Sequence, residues 1–174
     1  THPGKKLNFM GNEIGQLREW DENRQQDWDM LKYPMHDSFH KYCGDLSEIY
    51  LKYPALHNGE YNPECFRWLE VHAKEFCTYV YERKAEGQNV IVMLNLSDQY
   101  WSGFSFGYDR ECVLKELVNS DWFCYSGHTS PDDMKVYITQ EERHGKPYKI
   151  ETDIAPFSAR IFLVEEPEDG DVEK

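Results

Sequence analysis

The hydrophobic pattern along the chain changes its period twice. Leu7 to Met10 is a short apolar run, broken by Asn8, and it reads as a strand that ends abruptly at Gly11. Gly11 and Gly15 bracket the start of a polar loop that carries Asn12, Glu13, Gln16, Glu19, Trp20 and Asp21. A strand feeding a polar binding cleft has this form, as at the carboxyl ends of the strands in a parallel α/β barrel. A strand, a turn and a surface loop without a ligand has it too, and spacing does not separate the two. Trp28, Met30, Leu31 and Tyr33 then make a short apolar approach that Pro34 stops. Beyond it Phe39, Tyr42, Cys43, Leu46, Ile49, Tyr50 and Tyr53 recur at three- and four-residue steps, which predicts an amphipathic helix. Asp37 or Ser38 is placed to cap its start, and Pro54 to end it.

From His57 the texture becomes turn-like, with Asn58-Gly59 and Asn62-Pro63, so residues 57–62 are expected to link two domains. Short β-rich runs follow: Phe66–Val71, Phe76–Tyr81, Val90–Leu96, Trp101–Phe106, Cys112–Val118, Lys135–Ile138, Tyr148–Ile150 and Ala159–Val164. Val90–Leu96 is nearly continuous in apolar residues, as in a strand covered on both faces. Regular short strands divided by Gly, Asn and Asp turns predict an antiparallel β-sandwich over residues 63–165. Residues 166–174 are acidic, contain Pro167 and Gly170, and are expected to be a disordered tail.

Composition narrows the partners. The 174 residues are 40% hydrophobic and 15% aromatic, enough for a packed core. The formal net charge of -13 argues against a nucleic-acid or anionic-membrane partner, since phosphate binding needs clustered Lys and Arg. A neutral polymer is not opposed by it. No apolar stretch approaches the length of a membrane span, and the N-terminus does not read as a signal peptide. Cys43, Cys65, Cys77, Cys112 and Cys124 are an odd number without C-x-x-C spacing, the usage of a reduced compartment, so the cytoplasm is expected; one disulfide stays open. The chain starts almost directly on the Leu7 run with no earlier strands for it to join, and so reads as a fragment.

The run Gly4-Lys5-Lys6-Leu7-Asn8-Phe9-Met10-Gly11-Asn12-Glu13-Ile14-Gly15-Gln16 resembles the end of the barrel in 1,4-α-glucan branching enzymes of the α-amylase superfamily. Glu19-Trp20, Asp27-Trp28 and Tyr33-Pro34-Met35-His36-Asp37-Ser38-Phe39-His40 continue the likeness in order. Family members more often carry Leu at position 8 and Phe at position 14. The resemblance is close over roughly the first 56 residues and looser through the β-rich part. It implies that residues 1–56 are the last strand, polar loop and last helix of a (β/α)8 barrel, with the rest of the catalytic barrel as a partner. It also implies an α-glucan substrate, transfer to a glucose 6-hydroxyl, and no cofactor. The family's three catalytic carboxylates lie on earlier strands, so the resemblance implies no catalytic residue here.

Within that resemblance Trp20 and Trp28 are candidates to stack on glucose rings, and Asn12, Glu13, Gln16 and Asp27 to bind hydroxyls. The alternative is that the tryptophans brace the loop and that Glu13 holds loop backbone. Tyr100-Trp101 and Trp122-Phe123 offer either a surface glucan platform or ordinary core. Two patterns are decoys. His36-Asp37-Ser38-Phe39-His40 mimics H-E-x-x-H but has Asp for Glu and no third ligand, so no metal is expected. Cys65-Phe66-Arg67-Trp68-Leu69-Glu70 mimics a G-F-R-x-D nucleophile motif, but Leu69 stands where the Asp must be.

Overall fold

A computed structural model of the chain describes residues 1–71 and 74–167. Its strands are β1 Phe66–Glu70, β2 Thr78–Ala85, β3 Gln88–Asn95, β4 Trp101–Tyr108, β5 Val113–Asn119, β6 Val136–Thr139, β7 Tyr148–Ile154 and β8 Ala159–Glu165. They form two antiparallel sheets, one in the order β1-β2-β3-β8-β5 and one in the order β4-β7-β6. The expected sandwich is therefore present, and each predicted run overlaps one strand. Of the expected tail, residues 168–174 lie outside the described residues, and Glu166 pairs with Arg110 at 2.6 Å.

Strand alternation explains both layers of the interior. Val80, Ile91, Met93, Phe162 and Val164 point from the larger sheet toward Phe106, Tyr108, Ile150 and Ile154 of the smaller one. Their neighbours Tyr81, Val90, Val92 and Ile161 face the other way and would be wet without a cover. The cover is helix α1, Pro34–Lys52, which lays Tyr42, Leu46, Ile49 and Tyr50 on that face. This is why β3 reads as an unbroken apolar run: both of its faces are buried.

The helix begins four residues earlier than Ser38. Pro34 does not stop the chain but occupies the first helical position, where its missing N–H costs nothing and its fixed φ suits the helix. The flanking Tyr33 makes no side-chain cap, so the predicted Asp37 or Ser38 cap is corrected: both lie within the helix. Asp37 instead sits in the first turn, where a carboxylate suits the helix dipole. Pro54 follows the end of the helix, as expected, and opens a 3-10 turn, Pro54–Leu56.

No strand forms at Leu7–Met10. A lone strand has no ladder to satisfy its backbone, and Leu7 is 86% exposed, so the pattern's strand is absent for want of neighbours. Residues 57–62 are fastened to both sides. His57 Nδ1–H donates to the Tyr50 carbonyl (2.7 Å), and Asn58 donates to Glu86 (2.5 Å). Glu60 pairs with Lys6 at 2.5 Å and with Arg83 at 3.7 Å. Burial opposes the charge on Glu60, but the Lys6 hydrogen bond and the two cations outweigh it and hold the carboxyl below its usual range.

Cys112, buried in the inter-sheet core, gives the fold an alkaline limit. Burial pushes its thiol up from 9.0 to about 11. A folded value above the unfolded one means its contribution is complete below pH 9 and is lost as pH rises through about 11. Thermal melts at stepped pH should show stability falling across that window, with a shallower fall in Cys112→Ala; parallel curves would remove the thiol as the cause.

Candidate functional site

The polar loop is built on two left-handed glycines. Gly11 (φ 91°) and Gly15 (φ 61°) flank a 3-10 turn over Asn12–Ile14, a geometry open to residues without a Cβ. Ile14 is fully buried and anchors the turn, while the Gly11 N–H donates to Glu13 Oε2 at 3.1 Å. One helical turn apart on α1, His36 and His40 reach the same turn. Their Nδ1–H groups donate to the carbonyls of Ile14 (2.8 Å) and Glu13 (3.1 Å). The histidine pair that mimics a zinc motif thus ties the loop to the helix.

The second half of the loop is organised by Arg18, which sequence reading did not single out. Its Nε donates to Asp27 Oδ2 at 2.8 Å, and its other nitrogens reach the carbonyls of Glu19 and Gln25. Gln16 is used at both ends of its amide: Nε2 donates to the Arg18 carbonyl (3.1 Å) and Oε1 accepts from the Asp27 N–H (3.0 Å). Trp20 stands edge-on to Phe9, with ring centroids 5.7 Å apart, and remains 41% exposed.

These contacts shape an open groove whose lining includes Phe9, Asn12, Gln16, Arg18, Glu19 and Trp20. Of the six predicted residues, the structure brings Asn12, Gln16 and Trp20 to this groove. Glu13 and Asp27 hold loop backbone and Arg18, and Trp28 begins the next 3-10 turn, Trp28–Lys32, outside the lining. Glu19 is the single carboxylate of the lining among the described residues. Retaining sugar transfer uses two carboxyl groups about 5 Å apart, a pair that the described lining does not present. The signal for Arg18 was present in the sequence, a cation among acids and amides, but its pairing with Asp27, nine residues on, was not.

In the sandwich, Trp101 packs partly on the inter-sheet core and Trp122 partly on the helix-side core. Tyr100 and Phe123 stay exposed at 51% and 64%, and Tyr100 Oη donates to Asp153 at 2.7 Å.

Comparison with known proteins places this geometry in context. The family profile described as "Alpha amylase, C-terminal all-beta domain" matches residues 68–165. The chain is 33% identical over 164 residues to the 1,4-alpha-glucan branching enzyme GlgB of Geobacillus stearothermophilus, covering 93% of this chain and 26% of that protein. To the enzyme of the same name from Butyrivibrio fibrisolvens it is 35% identical over 164 residues, with the same two coverages, 93% and 26%. The chain thus spans about a quarter of the length of the curated relatives it matches. Among solved structures it superposes on the native form of the Nostoc punctiforme debranching enzyme with a TM-score of 0.52 and 19% identity, over 92% of this chain and 28% of that one. That likeness is one of fold.

Proposed function

This chain belongs to the alpha-amylase C-terminal all-beta domain family, and on that premise we propose that it is the C-terminal part of a 1,4-α-glucan branching enzyme. The complete enzyme would cleave an α-1,4 link and transfer the released oligosaccharide to a 6-hydroxyl of a glycogen-like acceptor. One observation carries the reading: relatives named as branching enzymes match 93% of the chain, well beyond the matched β-domain and so into the polar loop. A neutral polysaccharide is not repelled by a net charge of -13.

In this reading residues 1–56 complete a (β/α)8 barrel contributed by the rest of the enzyme, and residues 57–62 join it to the sandwich. Support comes from apolar surface that a barrel would cover: Leu7, Leu17 and Met35 are 86%, 88% and 67% exposed. Supplied with neighbouring strands, the Leu7–Met10 run gains the ladder it lacks. Trp20 then stacks on a sugar ring, Asn12 and Gln16 take hydroxyls, and Glu13 and Asp27 hold those groups in place, with Trp28 as a further stacking candidate. A reduced, cytoplasmic setting suits five free cysteines. Among the described residues no helix is long and apolar enough to cross a membrane.

The test is amylose treated with an enzyme that contains this chain. Branching lowers iodine colour while reducing ends stay constant, because each cleaved link is replaced by a new one. Rising reducing ends would point to a hydrolytic or debranching relative, and no change in either to a glucan-binding module. In that enzyme Trp20→Ala should raise KM for amylose about fivefold with an unchanged melting temperature, the loss of one aromatic contact. An unaltered KM would remove Trp20 from the substrate site.

A further inference from the structure

A second groove lies where the two sheets fail to close. β1 and β4 are each the edge strand of their sheet, and they approach one another along one open side of the sandwich. The groove between them is lined by Glu70, Phe76, Trp101, Phe104, Arg143 and His144. Its volume of about 470 Å³ lies within the range of small-ligand clefts, ~300–1,000 Å³.

Its chemistry is mixed in a particular way. The rings of Phe76 and Trp101 meet edge to face at 4.5 Å, forming an apolar wall. The indole N–H of Trp101 is buried and has no acceptor among the described residues. A buried donor left unmade is costly, which makes the indole resonance a sensitive reporter of changes at this wall. Glu70 is 5% exposed, and its carboxylate meets His144 Nδ1 at 2.9 Å at the margin of the groove. The hydroxyls of Ser102 and Ser105 border the same wall. Aromatic faces beside hydroxyls and a hydrogen-bonded carboxylate suit a neutral, polyhydroxylated ligand.

An extended peptide added to the edge of β4 suits it less. The β4 register slips between Trp101 and Phe104, Gly103 is left-handed (φ 64°), and the Gly103 N–H is already donated to Asp153 at 2.8 Å. A bulged edge with a spent donor is a poor template for another strand.

We propose that this groove binds an α-glucan chain, with the C–H face of a glucose against Phe76 and Trp101 and sugar hydroxyls toward the polar rim of Ser105, Arg143 and His144. The proposal rests on the reading of α-glucan as the partner of this protein. It adds a binding site on the β-domain, built from elements that the polar loop does not share.

The intact chain titrated with maltoheptaose, followed by the Trp101 indole resonance and by retardation in native gels containing amylopectin, tests it. The expected result is a saturable shift of that resonance and a retarded band. Phe76→Ala and His144→Ala, both at exposed side chains, should each raise the apparent Kd about fivefold. Trp20→Ala should leave the indole shift in place. Circular dichroism melts identify any variant that fails to fold, and the remaining one then decides. No indole shift, a shift unaffected by either groove variant, or a shift produced by an extended peptide and not by maltoheptaose would each overturn the proposal. The outcome is separable from the branching assay. Glucan binding lost in Phe76→Ala would uphold the groove even if the enzyme made no branches, and branching without an indole shift would uphold the enzyme and discard the groove.

Discussion

Arg160→Ala should lower the stability of the sandwich by about 3–5 kcal/mol, the loss expected when a buried ion pair is broken from one side. Arg160, on β8, is fully buried and joins the two sheets through its guanidinium. Nε meets Glu116 of β5 at 2.6 Å, within the larger sheet. Nη1 crosses to β7 of the smaller sheet, donating to Thr152 Oγ1 (2.6 Å) and to the Asp153 carbonyl (2.7 Å). Nη2 donates to the Met134 carbonyl at 3.0 Å, and the cation lies 4.8 Å from the centre of the Phe162 ring. Alanine leaves a carboxylate, two carbonyls and a hydroxyl without this partner in a largely buried site. Burial there is strong enough to push the Glu116 carboxyl above its usual range, even with Arg160 beside it. Adding Glu116→Leu should recover only part of the loss, because the Met134 and Asp153 carbonyls stay unpaired. Urea denaturation of the single and double variants measures both effects. A loss below about 1 kcal/mol for Arg160→Ala would mean that water enters and satisfies the site.

Arg160 also marks what the sequence could not convey. The eight strands were legible because alternation and turn residues are local signals, and β3 stood out because both its faces are covered. Charged residues in strands read as solvent-facing, yet Glu82, Arg83 and Arg160 are buried. Glu82 faces the inter-sheet core and is held by Tyr108 (2.6 Å), Asn89 (2.8 Å) and Arg67 (3.0 Å), partners drawn from β4, β3 and β1. No window of sequence contains such a set. Pro34 was read as a stop because a proline breaks helices from within, whereas its first-position role depends on what precedes it. The Leu7–Met10 strand failed for a related reason: a strand is a property of its neighbours as well as of its residues. In the polar loop, residue types announced a binding surface, but only the fold distinguishes Asn12, Gln16 and Trp20, which line the groove, from Glu13 and Asp27, which brace it. The groove between β1 and β4 was least visible, since its residues come from stretches as far apart as Glu70 and His144.

The prediction with the widest reach concerns the chain on its own: incubated with amylose, it should form no branches above the uncatalysed background. Enzymes of this kind gain at least ~10⁶-fold over the uncatalysed reaction. For retaining transfer that gain needs a nucleophile and an acid on opposite sides of one bond, about 5 Å apart. Among the described residues the polar groove presents Glu19 alone, and in the β-domain groove Glu70 meets His144. Among the described residues neither groove pairs two carboxyl groups, so neither is expected to form a glycosyl-enzyme. Inactivity here should coexist with a folded core. Val90–Met93 are fully buried between α1 and the smaller sheet and should exchange their amide hydrogens only on global unfolding. Leu7–Met10 have no ladder partners and should exchange quickly. Hydrogen exchange and the branching assay on one preparation therefore test the argument together. Slow exchange at Val90–Met93 with no product would place the chemistry outside this chain, whereas branches formed by the purified chain would mean that a nucleophile lies among residues assigned here to binding and structure.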